Sequence, residues 1–276
     1  PRKEVASGRV KLVRCGEGRG EIRPIEAKYL EPEVHSLMEV DGFTVAPNDC
    51  ARMILLVGEP KDRLDGTYVL DYIEWGEKQG IHKGATCSAR VTETREWYDL
   101  TGHRRGSVFW PKIQKYKHAI PLNEQDLQSN CSLYDLHLPD ELDAVLLAGI
   151  LNSSLVVLSK FQFGRYAGTE GTLKTEVVDV NMMLVPDSRK AGKGAKERVR
   201  TAFLALKKRK ALQFLSEKRL RQAAFTNAGK SNELELLSDQ SELEMPDRHE
   251  LDDAVLELLG AGSRKERQIL RVSLYA

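Results

Sequence analysis

The sequence predicts an α+β fold, a mixed β-sheet domain with a central long helix, followed by a small all-helical segment. Three observations predict it: the opening segment is β-rich, an apolar helix pattern runs from Leu142 to Leu158, and helical spacing with dense charge takes over after Pro186. The composition shift sets the expected boundary, with residues 1–187 as the first domain and 188–276 as the helical segment.

The 276 residues suffice for one large or two moderate domains, and 41% hydrophobic with 30% charged residues describe a globular protein with a highly charged surface. A net charge of +1 does not announce a nucleic-acid binder, so the distribution of charge has to decide. Four cysteines lie far apart without a C-x-x-C pair, which fits neither a zinc site nor a disulfide framework. Reduced thiols and a cytoplasmic location are expected. Leu142 to Leu158 carries Asp143 and Asn152-Ser153-Ser154 and is too short and polar to span a bilayer. The opening Pro1-Arg2-Lys3-Glu4 reads as mid-sequence, so a piece of a longer protein is expected.

Taken in order, Val10–Val13 and Glu21–Ile25 flank a hairpin-like turn, Cys15 to Gly20. That turn mimics a G-x-G-x-G cofactor loop, but the strand before it is half charged and no helix start follows. A short helix is predicted over residues 27–34, a buried strand over 51–57, and a helix over 67–79 stopped by Gly80. Between Lys83 and His118, cations interleave with Trp97, Tyr98, Phe109, Trp110 and Tyr116. Such a window suits a nucleic-acid surface, and it equally suits core strands with solvated charges between them. A strand is predicted over 133–138.

The central unit runs from Pro139 to Pro186. Acidic residues Asp140, Glu141 and Asp143 suit the positive end of a helix dipole. The Asn152-Ser153-Ser154 triplet predicts a helix break or buried hydrogen bonds. A loop with Gly164, Gly168 and Gly171 follows, with Arg165, Tyr166 and Lys174 among them, then an alternating run of Val178, Val180, Met182 and Leu184. Glycines that let backbone approach a partner, beside cations and an aromatic, suit phosphate contact.

Residues 188–194 read as a flexible basic linker, and a helix with Val199, Phe203 and Leu206 carries Lys207-Lys208-Arg209-Lys210 and, further on, Lys218-Arg219. The net charge is about +10 over 187–222 and about −5 after it. Residues 227–245 read as a polar, acidic linker. A helix starting at Asp247-Arg248-His249-Glu250, with Leu251, Ala254, Val255, Leu258 and Leu259 on one face, ends at Gly260. Ser263 opens a last short helix, and both are expected to pack on the basic helix or on a part of the protein beyond this chain.

No G-x-S-x-G, H-E-x-x-H, P-loop or [N/D]-P-P-[Y/F] sequence occurs, and the six histidines show no ligand spacing. Glu26-Ala27-Lys28 has the E-x-K form of a metal-dependent nuclease without an aspartate before it. No catalytic and no metal residue is assigned.

Three stretches resemble the target-recognition half of N-6 adenine-specific DNA methyltransferases of restriction–modification type: IEAKYLEPEV (25–34), YIEWGEKQGIHKGATCSAR leading to REWYDL (72–100), and the LLAGILNSSL helix with its glycine loop and terminal VP (146–186). The tail ELDDAVLELLG (250–260) is similar to the helical end of such proteins. The resemblance implies a domain that reads double-stranded DNA and positions an adenine for base flipping. The parent enzyme's S-adenosylmethionine and catalysis would belong to a methylase core in the same chain or another subunit. The resemblance places Gly168, Thr169, Gly171 and Lys174 near DNA. With the cationic window, the expected DNA-binding set adds Arg90, Arg95, Arg104, Arg105, Lys112, Lys115 and Arg165. The alternatives are an assembly module of a multi-subunit restriction or phage-defence complex, with no membrane involved, and a self-contained nuclease.

Overall fold

The computed structural model describes residues 1–15, 20–115, 117–139, 142–166, 168, 172–214 and 241–276. Contacts divide the chain into two units, residues 1–33 with 50–104, and residues 34–49 with 105–276. The predicted α+β character holds, with several small sheets and a helical C-terminal segment.

In the first unit, helix α1 (Arg2–Ala6) leads into β1 (Val10–Arg14) and β2 (Ile22–Glu26). These strands form the expected antiparallel pair, from Val10 opposite Glu26 to Arg14 opposite Ile22, while residues 16–19 of its turn lie outside the described residues. The predicted helix over 27–34 is instead a single 3-10 turn, Ala27–Tyr29, running into strand β3 (Leu30–Val34). Pro32 lacks the amide a helix needs there and drives the residue before it to extended backbone. β3 pairs antiparallel with β4 (Arg52–Leu55), which is shorter and more exposed than the predicted buried strand; the buried residue of that stretch is Val57. Helix α2 (Tyr68–Lys78) follows as predicted. Thr67 accepts from the Leu70 amide at 3.2 Å, and Gly80, with φ at +75°, supplies the left-handed stop. Helix α3 (Ala85–Ser88) is a single turn. The core of this unit gathers Tyr29, Val57, Leu64, Val69, Ile73 and Tyr98.

In the second unit, β5 (Val108–Pro111) precedes β6 (Ile113–Lys115), β7 (Gln128–Ser129) and β8 (Leu133–Leu136), and β5 pairs antiparallel with β8. Phe109 and Trp110 are fully buried, which settles both as core. Helices α4 (Ala144–Leu151) and α5 (Ser154–Phe163) replace the single predicted helix, bent by 64° at the Asn-Ser-Ser triplet. Asp143 caps α4 by accepting from the amides of Val145 and Leu146. At the break, the Asn152 side chain accepts from the Ile120 amide at 2.9 Å and donates to the Ile120 and Ala148 carbonyls.

Strands β9 (Arg165–Tyr166) and β10 (Thr172–Lys174) follow, then α6 (Val177–Met182). The alternating run is therefore helical as far as Met182, and Leu184 lies beyond the helix. Glu176 and Asp179 form a reciprocal capping box around its first turn, which fixes helical backbone against the period-two pattern. The stretch expected as a flexible linker is a 3-10 turn, Ser188–Lys190, capped by Asp187, and α7 (Lys193–Leu206) starts within it. The composition shift at 187 is no break in packing. Val199 and Phe203 of α7 meet α4 so closely that a Cβ on Gly149 would lie 2.8 Å from Val199 Cγ1.

The acidic linker expected over 227–245 falls partly outside the described residues; its end forms a 3-10 turn, Glu242–Glu244, with Glu242 fully buried. Helix α8 (Pro246–Leu258) begins one residue before the predicted start and carries Pro246 in place of a side-chain cap. Leu251, Ala254, Val255 and Leu258 are buried as expected, Leu259 is exposed, and Gly260 turns the chain with φ at +106°. Ser263 then caps α9 (Arg264–Tyr275). As expected, α8 packs on α7, and both join α4 in one core, whereas α9 packs on α8 and α5 rather than on the basic helix.

Among the described residues no single helix is long and apolar enough to cross a membrane. The bent pair α4–α5 passes that test together, by length and composition alone, and is mostly buried in its unit.

The buried Arg248 donates to Glu242 at 2.8 and 3.0 Å and to the Asn152 carbonyl, while Arg209 donates to the same carboxylate. Burial opposes the charge on Glu242, yet Arg248 and Arg209 hold its carboxyl below the usual range. Arg248→Met should therefore cost about 3–5 kcal/mol, as for one partner removed from a buried ion pair, read as a lower urea midpoint. Lys160 is another buried basic group. Its ammonium donates to Gln114 Oε1 and stands 5.3 Å from the Trp110 ring centroid. Burial pushes its pKa down to about 7, against 10.5 for the ordinary group. Between those values the unfolded chain binds more protons, so this residue makes stability rise with pH from about 7 to 10.5. Lys160→Met should remove that rise and be the more stable protein at pH 7, measured by denaturation across the range.

Candidate nucleic-acid interface

The glycine loop of the sequence is the turn of a small β-hairpin in the second unit. β10 lies at the centre of a three-stranded sheet between β6 and β9. Helix α5 hands the chain to it through Gly164, where a Cβ would sit 2.6 Å from the Lys160 carbonyl and 2.9 Å from Leu173, so no larger residue fits. Gly168, at φ +81° and exposed, belongs to the turn; Thr169 and Gly171 lie outside the described residues, as does the Lys115 side chain. Beyond β10, Thr175 accepts from Trp110 Nε1 at 2.9 Å and donates its amide to the Lys112 carbonyl, which fixes the sheet to the core.

The register gathers the cations. Lys174 stands opposite Arg165 on one side and Ile113 on the other, so these three share a face. The next row, Gln114, Leu173 and Tyr166, takes the opposite face, where Leu173 is buried and Gln114 meets Lys160. Lys112 Nζ lies 4.8 Å from the Tyr134 ring centroid. Both cations of the hairpin strands already have a carboxylate: Arg165 Nη2 to Asp179 Oδ1 at 2.8 Å, and Lys174 Nζ to Glu176 Oε1 at 2.6 Å. Lys174, then the Tyr134 hydroxyl, holds Glu176 below the usual carboxylate range; the Glu176 amide, with Arg165 beyond it, does the same for Asp179. The face thus offers half-exposed cations whose partners are also half of a helix cap.

The remaining predicted residues sit elsewhere. Arg90, Arg95 and Arg104 belong to the first unit. Arg90 donates to the Trp97 carbonyl at 2.8 Å, and Arg95 to the carbonyls of Asp99 and Thr101, so both brace turns; Arg104 is exposed. Arg105, in the second unit, donates to the Asp126 carboxylate and carbonyl. Three cations of the basic run after α7 are tied down in the same way: Lys207 to Glu124, Arg209 to Glu242 and Asp247, and Lys210 to Asp41; Lys208 is exposed, and Lys218 and Arg219 lie outside the described residues. The E-x-K residues serve packing, since Glu26 accepts from the Tyr68 and Val69 amides at the start of α2 and Lys28 stands over Tyr29. Among the described residues no group of three or more His, Cys, Asp or Glu could hold a metal ion, and none of the four cysteines forms a disulfide. Sequence reasoning missed Lys160, Glu242 and Arg248, because nothing in one sequence marks a charge that folds inward.

The family model described as the C-terminal domain of the type II methyltransferase M.Eco57I matches residues 43–220. The chain belongs to this family. The restriction–modification methyltransferase resemblance read in the three sequence stretches is thereby shown for most of its span. No curated protein matches this type II methyltransferase C-terminal domain. Among solved structures it is similar to the one reported as "Characterization and crystal structure of the type IIG restriction endonuclease BpuSI", at 12% identity and a TM-score of 0.57. The match covers 91% of this chain and 26% of that one, so the chain spans about a quarter of the length of its structural relative and shares its fold.

Proposed function

We propose that this domain reads double-stranded DNA for an adenine-specific methyltransferase of restriction–modification type. The observation that carries the reading is the Arg165–Lys174 cross-strand pair on a hairpin whose turn contains the exposed, left-handed Gly168. A hairpin of that kind lays cations on phosphates and brings turn backbone close to a groove. Incoming phosphates would take over the half-exposed cations from Glu176 and Asp179, which stay behind as caps of α6. S-adenosylmethionine and the methyl transfer would belong to a methylase core carried outside this chain, in keeping with the quarter of BpuSI that the chain spans.

A second reading, an assembly module, rests on exposed apolar residues of α5, α6 and the segment after it, namely Leu158, Phe161, Val178, Met182 and Leu184. DNA titrations separate the two. If about six phosphates are neutralised, log affinity should fall against log salt with a slope near −5, and Lys174→Ala or Arg165→Ala should each reduce that slope by about 1. Glu176→Gln, which frees Lys174 while keeping an acceptor at the cap, should act in the opposite direction. Salt-independent affinity, or unchanged binding in both alanine variants, would remove the proposed surface.

A further inference from the structure

The first unit holds a cavity of about 290 Å³ whose walls are Tyr72, Trp75, Trp97 and Tyr98, with Arg90 and Cys87 beside them. Two of the three tryptophans of the chain line it. Its aromatic walls are held in fixed orientations. Trp97 Nε1 donates to Glu77 Oε1 at 3.0 Å, and the far edge of the indole rests on Gly76, where a Cβ would lie 3.0 Å from Cη2. Tyr98 stands edge-on to Trp97 at 85° and donates its hydroxyl to the Glu59 carbonyl. Tyr72 and Trp75 stack within 17° of parallel, and the Arg23 guanidinium lies 5.0 Å from the Trp75 ring centroid.

Walls of this kind select a flat ring. Such a guest loses little freedom against faces that are already in place, and it stacks on indole whatever its substituents. The charge at the cavity narrows the choice further. An aromatic cage for an ammonium group needs electron-rich faces without a competing cation, whereas here Arg90 is part of the lining and no carboxylate is. Arg90 gives one hydrogen bond to the Trp97 carbonyl, and a guanidinium carries five N–H donors. Guanidinium donors in the lining of an aromatic cavity suit ring nitrogens and carbonyl oxygens.

We propose that this cavity is a nucleobase pocket, which takes an unpaired base between its aromatic walls with Arg90 donating to the base edge. The proposal deepens the DNA-reading function and rests on it for the source of the base, while the pocket itself needs only the base. An unpaired base in a nucleic acid and a free nucleoside share the same recognised chemistry, and the two sources are separable.

Cys87 gives the test, since it lines the cavity and is neither fully buried nor paired. Alkylation of the full chain, followed site by site by peptide mass spectrometry, is run with free nucleosides, with a duplex carrying one bulged base, and with the fully paired duplex. Nucleosides and the bulged duplex should slow Cys87 alkylation; the paired duplex should not. Cys50 and Cys131 should react at unchanged rates in every arm. Protection by nucleosides alone would make the pocket one for free nucleosides and overturn the DNA source. Protection by none of the three would overturn the pocket itself, even where salt-dependent duplex binding survives and the DNA-reading proposal stands. Trp97→Ala should weaken the nucleoside's protection about five-fold or more, the loss of one stacked face. Ile81→Trp, which fills the cavity from an exposed position, should abolish it. Continued inertness of the buried Cys15 shows that the unit is folded in both variants.

Discussion

The second unit depends on how it satisfies a broken helix. Eighteen or so apolar residues in one straight helix would bury easily, since each backbone group finds its partner within the segment. Breaking that helix at Asn152 leaves carbonyls and amides inside an apolar core, where an unmet polar group costs about 1–3 kcal/mol. Every partner is provided from elsewhere in the unit. Arg248 meets the Asn152 carbonyl, His118 donates to the Leu151 carbonyl at 2.8 Å, and Asp252 accepts from both the amide and the hydroxyl of Ser154. Two of these three come from α8, nearly a hundred residues along the chain, so the tail helix is part of the central unit rather than an appendage.

That dependence accounts for the buried charges around it. Arg248 reaches the break only by crossing the core, and a guanidinium there is tolerable because Glu242 accepts two of its hydrogen bonds. Glu242 in turn fixes Arg209 and the Leu212 amide, which ends α7 in a defined place. Tyr275 of α9 donates to Asp252 at 2.6 Å, so the last helix also reports to the same break. The bend redirects α5, and α5 delivers Gly164 and the hairpin. A surface loop with cations thus owes its direction to a polar cluster in the interior.

What was legible in the sequence follows the same physics. Helices whose ends carry their own chemistry were readable: Thr67 and Gly80 around α2, Ser263 before α9, Gly260 after α8. The apolar 142–158 pattern was readable as helix, and its triplet as an interruption. Period alone misled where local hydrogen bonding outweighed it, as in α6, where Val178, Val180, Met182 and Leu184 alternate but the Glu176–Asp179 box imposes a helix. Pro32 had the same effect in reverse on β3. For the site, Lys174 and Arg165 were named from glycine-flanked charge, and the register sets them side by side. The cavity was not legible, because Trp75, Arg90 and Trp97 are brought together only by the packing of α2 against a turn-rich segment.

The charge map argues for caution about basic runs and, by the same reasoning, for the hairpin. From the sequence alone, the segment after Pro186 carries the densest positive charge in the chain. Folded, its described cations largely face carboxylates of the same unit, from Asp41 and Glu124 to Glu242, Asp247, Glu250 and Glu257. Arg209 and Arg198 there bridge separate elements, and handing Arg209 to a phosphate would leave the fully buried Glu242 with one guanidinium fewer. The hairpin cations differ in this respect. Arg165 and Lys174 are half exposed, and the acids they touch keep a second task as helix caps once the cation leaves. Releasing them to a polyanion leaves Glu176 and Asp179 each with a hydrogen bond of the helix cap, so these cations can exchange partners without leaving a carboxylate unmet.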